Sequence, residues 1–195
     1  MINEHFKSTI AQEELYQLPL KQFQGKIHLI ESRKDLNHVV SFLRNQDVLG
    51  FDTETKPSFK KGKKNKVALM QLSTSTEAFL FRMNRIGLPP ELRTIMEDDS
   101  VLKVGAAIRD DIRHLKQLNH FEPAGFIELQ EYVKEFGIEN YSLKKMSGIV
   151  LNFRISKSQR LTNWEGKELS EPQMIYAATD AWVCYEIYLR LRSLC

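Results

Sequence analysis

A short apolar run that ends in two acids constrains the fold of this chain more than any other stretch. Residues 47–51 form the run, and Asp52 and Glu54 close it. In a strand, alternate side chains share a face, so these two carboxylates are predicted to lie side by side at the end of a buried element. Two interpretations stay open from this pattern alone. The pair is either half of a divalent-metal site, where a cation offsets the repulsion between the acids, or a solvated strand end that begins a loop.

Length and composition limit the class of protein. The chain has 195 residues and 42% hydrophobic content, which predicts one well-buried core. Its formal net charge of +3 is too small to indicate a nucleic-acid partner by itself. We expect a polar N-terminal arm over residues 1–24 and a single domain over 25–195. Two cysteines, Cys184 and Cys195, are too few for a disulfide framework, and no apolar signal core or membrane span is evident. A cytoplasmic protein without a membrane partner is the expectation.

The order of apolar patterns predicts an α/β domain with a mixed central sheet flanked by helices. Strands are predicted at 26–30, at the acid-ended run, at 66–72, 77–81 and 101–105, and near 126–129. A helix is predicted after a Ser32 cap and continues through residue 43, and others are predicted over 89–96 and 108–118. A further helix includes residues 132 and 136, and another begins at 142. The last begins at a capping box over 170–173 and continues to about residue 192. In the arm, Leu15, Leu18 and Leu20 are the expected anchors, and the arm is assigned no function.

A lysine-rich loop leaves directly from the paired acids. Residues 56–66 include Phe59, Lys63 and Lys64, and the loop is either a solvated surface or a rim that attracts phosphates. A second polar stretch, residues 154–167, precedes the last helix and carries Lys157 and Arg160. These five side chains are the candidates for contacts with phosphates or bases. Trp164, in the same stretch, is assigned to packing first.

Further acids come from two of the predicted helices. On the helix from Ile108, Asp111 shares the inward apolar stripe, whereas Asp110 is turned about 100° away from it and suits the helix dipole instead. On the last helix, Tyr176 and Asp180 are four residues apart and lie on one face. Small residues around them let this helix approach the sheet closely, which would bring Asp180 against the strand of Asp52 and Glu54.

Taken together, these stretches resemble the DEDD superfamily of 3′-5′ exonucleases, in the tyrosine-containing branch that includes ribonuclease D and Werner-type exonuclease domains. Three motifs carry the resemblance in the family's order and spacing: the acid-ended strand followed by 66–72, the stretch 104–111, and the stretch 176–181 preceded by Asn163 and Trp164. The resemblance covers about residues 26–192. Ala107 departs from it, because Werner-type motifs tend to have glycine there.

The resemblance implies a ribonuclease H-like fold and a set of roles. Asp52, Glu54, Asp111 and Asp180 would hold two divalent cations, Mg²⁺ or Mn²⁺, and Tyr176 would orient the attacking water. The implied partner is nucleic acid with a free 3′ end, and the implied product is a nucleoside 5′-monophosphate. No organic cofactor is implied, and neither the choice between DNA and RNA nor the oligomeric state is indicated.

Two other functions stay open from the sequence. One is a catalytically silent nucleic-acid-binding module of the same fold, against which the intact acids and Tyr176 argue. The other is a phosphodiesterase that acts on short oligonucleotides and shares the metals, but differs in how open its cleft is.

Overall fold

The architecture is a six-stranded mixed sheet with helices on both faces, which confirms the predicted α/β class. The computed structural model describes residues 6–34, 36–57 and 65–195. The strands are β1 (Lys26–Ile30), β2 (Val48–Thr55), β3 (Val67–Ser73), β4 (Glu77–Phe81), β5 (Leu102–Gly105) and β6 (Phe126–Glu128). Their spatial order is β1-β4-β3-β2-β5-β6. The β2-β3-β4 pairs are antiparallel, whereas β1 joins β4, and β5 joins β2 and β6, in parallel.

Short helices alternate with the strands, and one long helix ends the chain. The helices are α1 (Gln12–Gln17), α2 (Leu36–Arg44), α3 (Met83–Ile86), α4 (Pro90–Met96), α5 (Ile108–Lys116), α6 (Leu129–Tyr132), α7 (Leu143–Leu151) and α8 (Glu171–Arg192), with a 3₁₀ turn at Val133–Phe136. Sequence patterns did not predict α1 or α3. The helix predicted over 108–118 ends at Lys116, and the one predicted through 132 and 136 is α6 followed by the 3₁₀ turn.

The two faces of β2 look into different cores. Leu49 and Phe51 belong to the core beneath α2, α4 and α5, whereas Val48 belongs to the core beneath α7 and α8. Because alternate strand residues share a face, Asp52 and Glu54 point with Val48 toward α8. The strand therefore directs both acids to one side of the sheet.

Helix α8 begins at the predicted capping box and crosses the sheet. Ser170 Oγ accepts from the Gln173 backbone N–H, and Gln173 Oε1 accepts from the Ser170 backbone N–H. From there the helix contacts each of the strands β1 to β5. Ala177, Ala178 and Ala181 are completely buried, so the helix packs through small side chains near Tyr176 and through larger ones, such as Ile187 and Leu191, farther along.

The N-terminal arm is tied down by backbone hydrogen bonds as well as by apolar contacts. Leu15 is fully buried, but Leu20 is 53% exposed, so the prediction of Leu20 as an anchor is wrong. The Lys21 N–H donates to the Arg154 carbonyl at 2.9 Å, and the Phe23 N–H donates to Thr179 Oγ1 on α8 at 3.0 Å. These polar contacts fix the arm where Leu20 does not.

None of the helices in the described ranges has the length and apolar character that crossing a membrane requires.

Candidate active site

Three of the predicted acids meet where β2 passes under α8. Asp52, Glu54 and Asp180 each place one carboxylate oxygen within 4.8 Å of the others. The Asp180 side chain is almost wholly buried, and its Oδ1 has no hydrogen-bond partner. A buried group of oxygen ligands with an unpartnered lone pair is the donor set that Mg²⁺ or Mn²⁺ prefers, so these residues fit a divalent cation.

Close backbone packing brings Asp180 to the strand. A Cβ added to Gly50 would lie 1.9 Å from the Ala181 carbonyl oxygen, so strand and helix touch through their main chains. Only glycine allows this approach, because any other residue would place an atom inside that carbonyl. Gly50 thus sets the distance between the acids of β2 and the acid of α8.

A lysine already contacts this acid group. Lys157, in the irregular segment between α7 and α8, donates from Nζ to Asp180 Oδ2 at 2.7 Å. The same Nζ lies 5.4 Å from the centroid of the Tyr176 ring. Sequence analysis placed Lys157 among the candidates for phosphate contacts, which stays a prediction; in the structure its ammonium contacts Asp180.

Burial is the main influence on the pKa of each acid. It raises the pKa of Asp52 well above its ordinary value and the pKa of Glu54 to about 10, and the neighbouring carboxylates raise both further. Burial also raises the pKa of Asp180, while Lys157 lowers it. Burial and the neighbouring carboxylates both disfavour the charged form of an acid. A bound cation would therefore be needed to hold all three acids ionised at neutral pH.

The fourth predicted acid approaches β2 from α5. Asp111 accepts a hydrogen bond from the Thr53 hydroxyl, and strand alternation turns Thr53 away from Asp52 and Glu54. Burial raises the pKa of Asp111 to about 6, although the Thr53 hydrogen bond lowers it. Asp110 is 68% exposed and pairs with Arg113 at 2.9 Å. The helix thus turns Asp111 inward and Asp110 outward, as the helical spacing predicts, but Asp111 is outside the three-acid group.

The start of α5 is held by an acid that sequence analysis missed. Glu128 accepts the Ala107 N–H at Oε1 and the Ile108 N–H at Oε2, both at 2.8 Å. Ala107 itself has a left-handed backbone with φ 62°, a conformation that glycine adopts at lower steric cost than alanine. Glu128 ends β6, twenty residues away, so no local pattern identifies it as the cap of α5.

Tyr176 lies beside the acids and is backed by Trp164. The two rings are 5.9 Å apart between centroids, and Trp164 is fully buried. Burial raises the pKa of Tyr176 above its ordinary value, and the nearby acids raise it further. Without metal, the phenol therefore stays protonated at neutral pH and can donate a hydrogen bond.

Gln71 is a second side chain that sequence analysis missed. It lies opposite Asp52 in the β2-β3 register, is fully buried, and neither its amide nitrogen nor its amide oxygen has a partner. Cross-strand pairs share a face, so Gln71 points to the same side as Asp52. The sequence signal that could have identified Gln71 is its position as a glutamine within the largely apolar predicted strand 66–72.

The predicted nucleic-acid contacts divide into two groups. Phe59, Lys63 and Lys64 lie outside the described residues. Arg160 is exposed and lines a cleft of about 320 Å³ together with Glu54 and Asp111. This cleft opens to solvent beside Glu54 and Asp111.

Comparison with known proteins identifies the family to which this chain belongs. The 3′-5′ exonuclease family matches residues 27–195. The mouse bifunctional 3′-5′ exonuclease/ATP-dependent helicase WRN is 33% identical over 187 residues, which is 91% of this chain and 13% of that protein. The chain therefore spans only a small part of this longer relative.

Solved structures agree at the level of the fold. The EXO domain of Aedes aegypti Nibbler superposes with a TM-score of 0.77 at 26% identity, covering 89% of this chain and 91% of that domain. Escherichia coli RNase D superposes with a TM-score of 0.78 at 22% identity, covering 86% of this chain and 44% of that protein. The sheet and its helices are thus ribonuclease H-like.

Proposed function

Because this chain belongs to the 3′-5′ exonuclease family, we propose that it is a metal-dependent nuclease of the tyrosine-containing DEDD branch, which removes nucleotides from the 3′ end of a nucleic acid. The observation that carries the proposal is the meeting of Asp52, Glu54 and Asp180, whose carboxylate oxygens lie within 4.8 Å of one another, with Glu54 also lining a cleft that is open to solvent. A DNA or RNA strand with a free 3′ end is the proposed partner, with no organic cofactor. The cytoplasmic location stays a prediction.

The acids would hold two divalent cations, Mg²⁺ or Mn²⁺. Asp52, Glu54 and Asp180 supply the closest oxygens, and Asp111 reaches the site from the other side of β2, where Thr53 holds it. Two bound cations would lower the pKa of a water molecule and neutralise charge on the scissile phosphate and on the leaving oxygen.

Tyr176 would position the attacking water. Its protonated phenol donates a hydrogen bond, and the buried ring of Trp164 fixes its orientation. Attack of the water oxygen on phosphorus breaks the bond to the 3′ oxygen of the preceding nucleotide, which leaves with a proton. The products are a shortened strand and a nucleoside 5′-monophosphate.

The cleft offers contacts for the strand. Arg160 supplies a positive charge next to the acids, and Leu161 is 67% exposed at the same cleft. An exposed apolar side chain beside an arginine suits a nucleotide, whose base presents an apolar face and whose phosphate is anionic. Arg160→Ala is therefore expected to raise KM more than it lowers kcat.

The direct test is digestion of a 5′-labelled single-stranded DNA and its RNA counterpart with Mg²⁺, with Mn²⁺ and with chelator. Asp52→Asn is expected to lower kcat/KM by about a thousandfold or more, since it removes a metal ligand. Asp111→Asn and Asp110→Asn form a matched pair on one helix. The first is expected to lose activity and the second, whose acid is exposed and paired with Arg113, to keep it.

The outcomes separate the competing functions. A ladder that shortens from the 3′ end, requires metal and disappears in Asp52→Asn supports the proposal, and the faster polymer identifies the substrate. Strand binding without hydrolysis would indicate the silent module. Hydrolysis of a dinucleotide but not of a longer strand would indicate the phosphodiesterase for short oligonucleotides.

A further inference from the structure

Lys157 makes an unusual contact for a surface lysine. Its side chain is 34% exposed, yet its ammonium donates at 2.7 Å to Asp180, whose side chain is only 3% exposed. Lys157 belongs to an irregular segment, and its neighbours Ser156 and Ser158 are both exposed. The lysine therefore reaches from a solvent-facing segment into the acid group.

The acid group needs positive charge. Asp52 and Glu54 each place a carboxylate oxygen within 4.8 Å of one on Asp180, and carboxylates this close repel each other when they are ionised unless a cation lies among them. The ammonium of Lys157 supplies that charge from within the chain. It also donates a hydrogen bond to a buried carboxylate oxygen of Asp180.

The ammonium and a divalent cation compete for the same carboxylate oxygen, Asp180 Oδ2. A divalent ion of the proposed type binds carboxylate oxygens at about 2.0–2.2 Å, with Mg²⁺ at the shorter end, and like charges this close repel strongly. Asp180 is a ligand for the cation, and its Oδ2 is the oxygen that Lys157 occupies. Lys157 has a flexible four-carbon stem on an irregular segment, so it can withdraw into solvent.

We propose that Lys157 is a positioning residue, which holds the acids together before metal binds and is displaced from Asp180 when metal binds. This inference rests on the metal use in the proposed function. On this inference Lys157 contacts Asp180 only in the metal-free protein, whereas the two residues of a permanent ion pair would stay in contact after metal binds.

The two roles have different thermodynamic consequences. If the contact exists only in the metal-free protein, its removal destabilises that form alone, and the affinity for metal rises by the same factor. If the contact persists with metal bound, its removal destabilises both forms equally, and the affinity does not change. If Lys157 instead orients Asp180 for the ion, its removal weakens metal binding.

The experiment compares wild type with Lys157→Met, which keeps the length of the side chain and removes its charge. Binding of Mn²⁺ and of Mg²⁺ is measured by isothermal titration calorimetry, and thermal unfolding is measured in chelator and in saturating metal. Lys157→Met is expected to bind metal about tenfold more tightly, as loss of a charge-assisted hydrogen bond from one form implies. Its Tm is expected to fall by about 3–5 °C in chelator and to match wild type in saturating metal.

Lys167→Met is the matched control. Lys167 is an exposed lysine ten residues farther along, and its recorded contact is made by its backbone carbonyl, which accepts from Arg85. The substitution removes the same charge without touching the acids, so both the affinity for metal and the two Tm values are expected to stay at wild-type levels.

Unchanged or weaker metal binding by Lys157→Met would overturn the inference, as would an equal loss of Tm in chelator and in metal. Absence of calorimetric metal binding by both wild type and Lys157→Met would overturn it together with the proposed metal dependence. Normal metal binding without nuclease activity would contradict the proposed function only, because calorimetry does not depend on turnover.

Discussion

The two sides of β2 hold their acids in different ways. On the α8 side, main chain packs on main chain at Gly50, and Asp180 is buried against the strand. On the α5 side, side-chain hydrogen bonds hold the acid and its helix in place: Thr53 donates to Asp111, and Glu128 caps the start of α5. One acid is thus positioned by steric contact, and the other by polar contacts.

This difference indicates how each side tolerates change. Close packing offers no alternative arrangement, so an added atom must move a helix or a strand. A hydrogen bond can be replaced by another partner or by water at modest cost. Substitutions on the α8 side are therefore expected to reduce stability sharply, whereas those on the α5 side should act in smaller steps and mainly through the position of Asp111.

Gly50→Ala is expected to have the largest effect. The new methyl group would lie far inside contact distance of the Ala181 carbonyl, so the free energy of unfolding should fall by about 3–5 kcal/mol. Urea denaturation measures this. Gly166→Ala is the control, since a Cβ there meets its nearest atom at 3.2 Å and should cost less than about 1 kcal/mol. Equal losses in the two variants would contradict the close packing of Gly50 against Ala181.

Glu128→Gln is expected to rank second. The amide keeps one acceptor oxygen and presents an NH₂ group to the second backbone N–H, so α5 loses part of its cap. A loss of about 2 kcal/mol is expected in urea denaturation, with a larger proportional loss of kcat than of affinity for the strand. Glu131→Gln is the control, because that acid is 70% exposed and pairs only with Lys134 in the described structure. A Glu128→Gln enzyme with wild-type stability would show that the cap is dispensable.

The pKa of Asp111 predicts a smaller, pH-dependent effect. Burial raises it to about 6 in the folded protein, above the unfolded value of 3.8, so the folded form binds the proton more tightly. The stability that this gives is fully present below about pH 4 and is lost as pH rises through 6. In chelator, wild type is expected to lose about 1–2 kcal/mol relative to Asp111→Asn across this interval. Parallel stability curves for the two proteins would refute this.

Ala107→Gly is expected to have the smallest effect, in the opposite direction. Glycine adopts the left-handed backbone of this position without the steric cost that alanine carries, so the free energy of unfolding should rise by about 0.5–1 kcal/mol. Ala106 has no left-handed backbone, so Ala106→Gly should instead destabilise. A destabilised Ala107→Gly would mean that the turn is not under strain.

Local patterns predicted the fold because each element carries its own signal. Strand alternation placed Asp52 and Glu54 on one face, and helical spacing separated Asp111 from Asp110. Both conclusions need only the geometry of a single element. Small residues on the last helix also predicted the approach of Asp180, since a close contact needs small side chains.

The parts that could not be predicted depend on contacts between distant segments. The contact of Lys157 with Asp180 depends on the path of an irregular segment, which has no periodic signal. The cap of α5 comes from the end of another strand, and Gln71 faces Asp52 only through the register of two strands. Such pairings become visible only when the whole sheet is assembled.

The central position of α8 also bears on how the protein is made. This helix follows all six strands in the sequence, yet it contacts five of them and carries Asp180. At about 5–20 residues per second, a ribosome completes Asp180 many seconds after Glu54. Until then the acids of β2 lack their partner, so a nascent chain with the proposed activity stays inert until α8 has been made and has packed against the sheet.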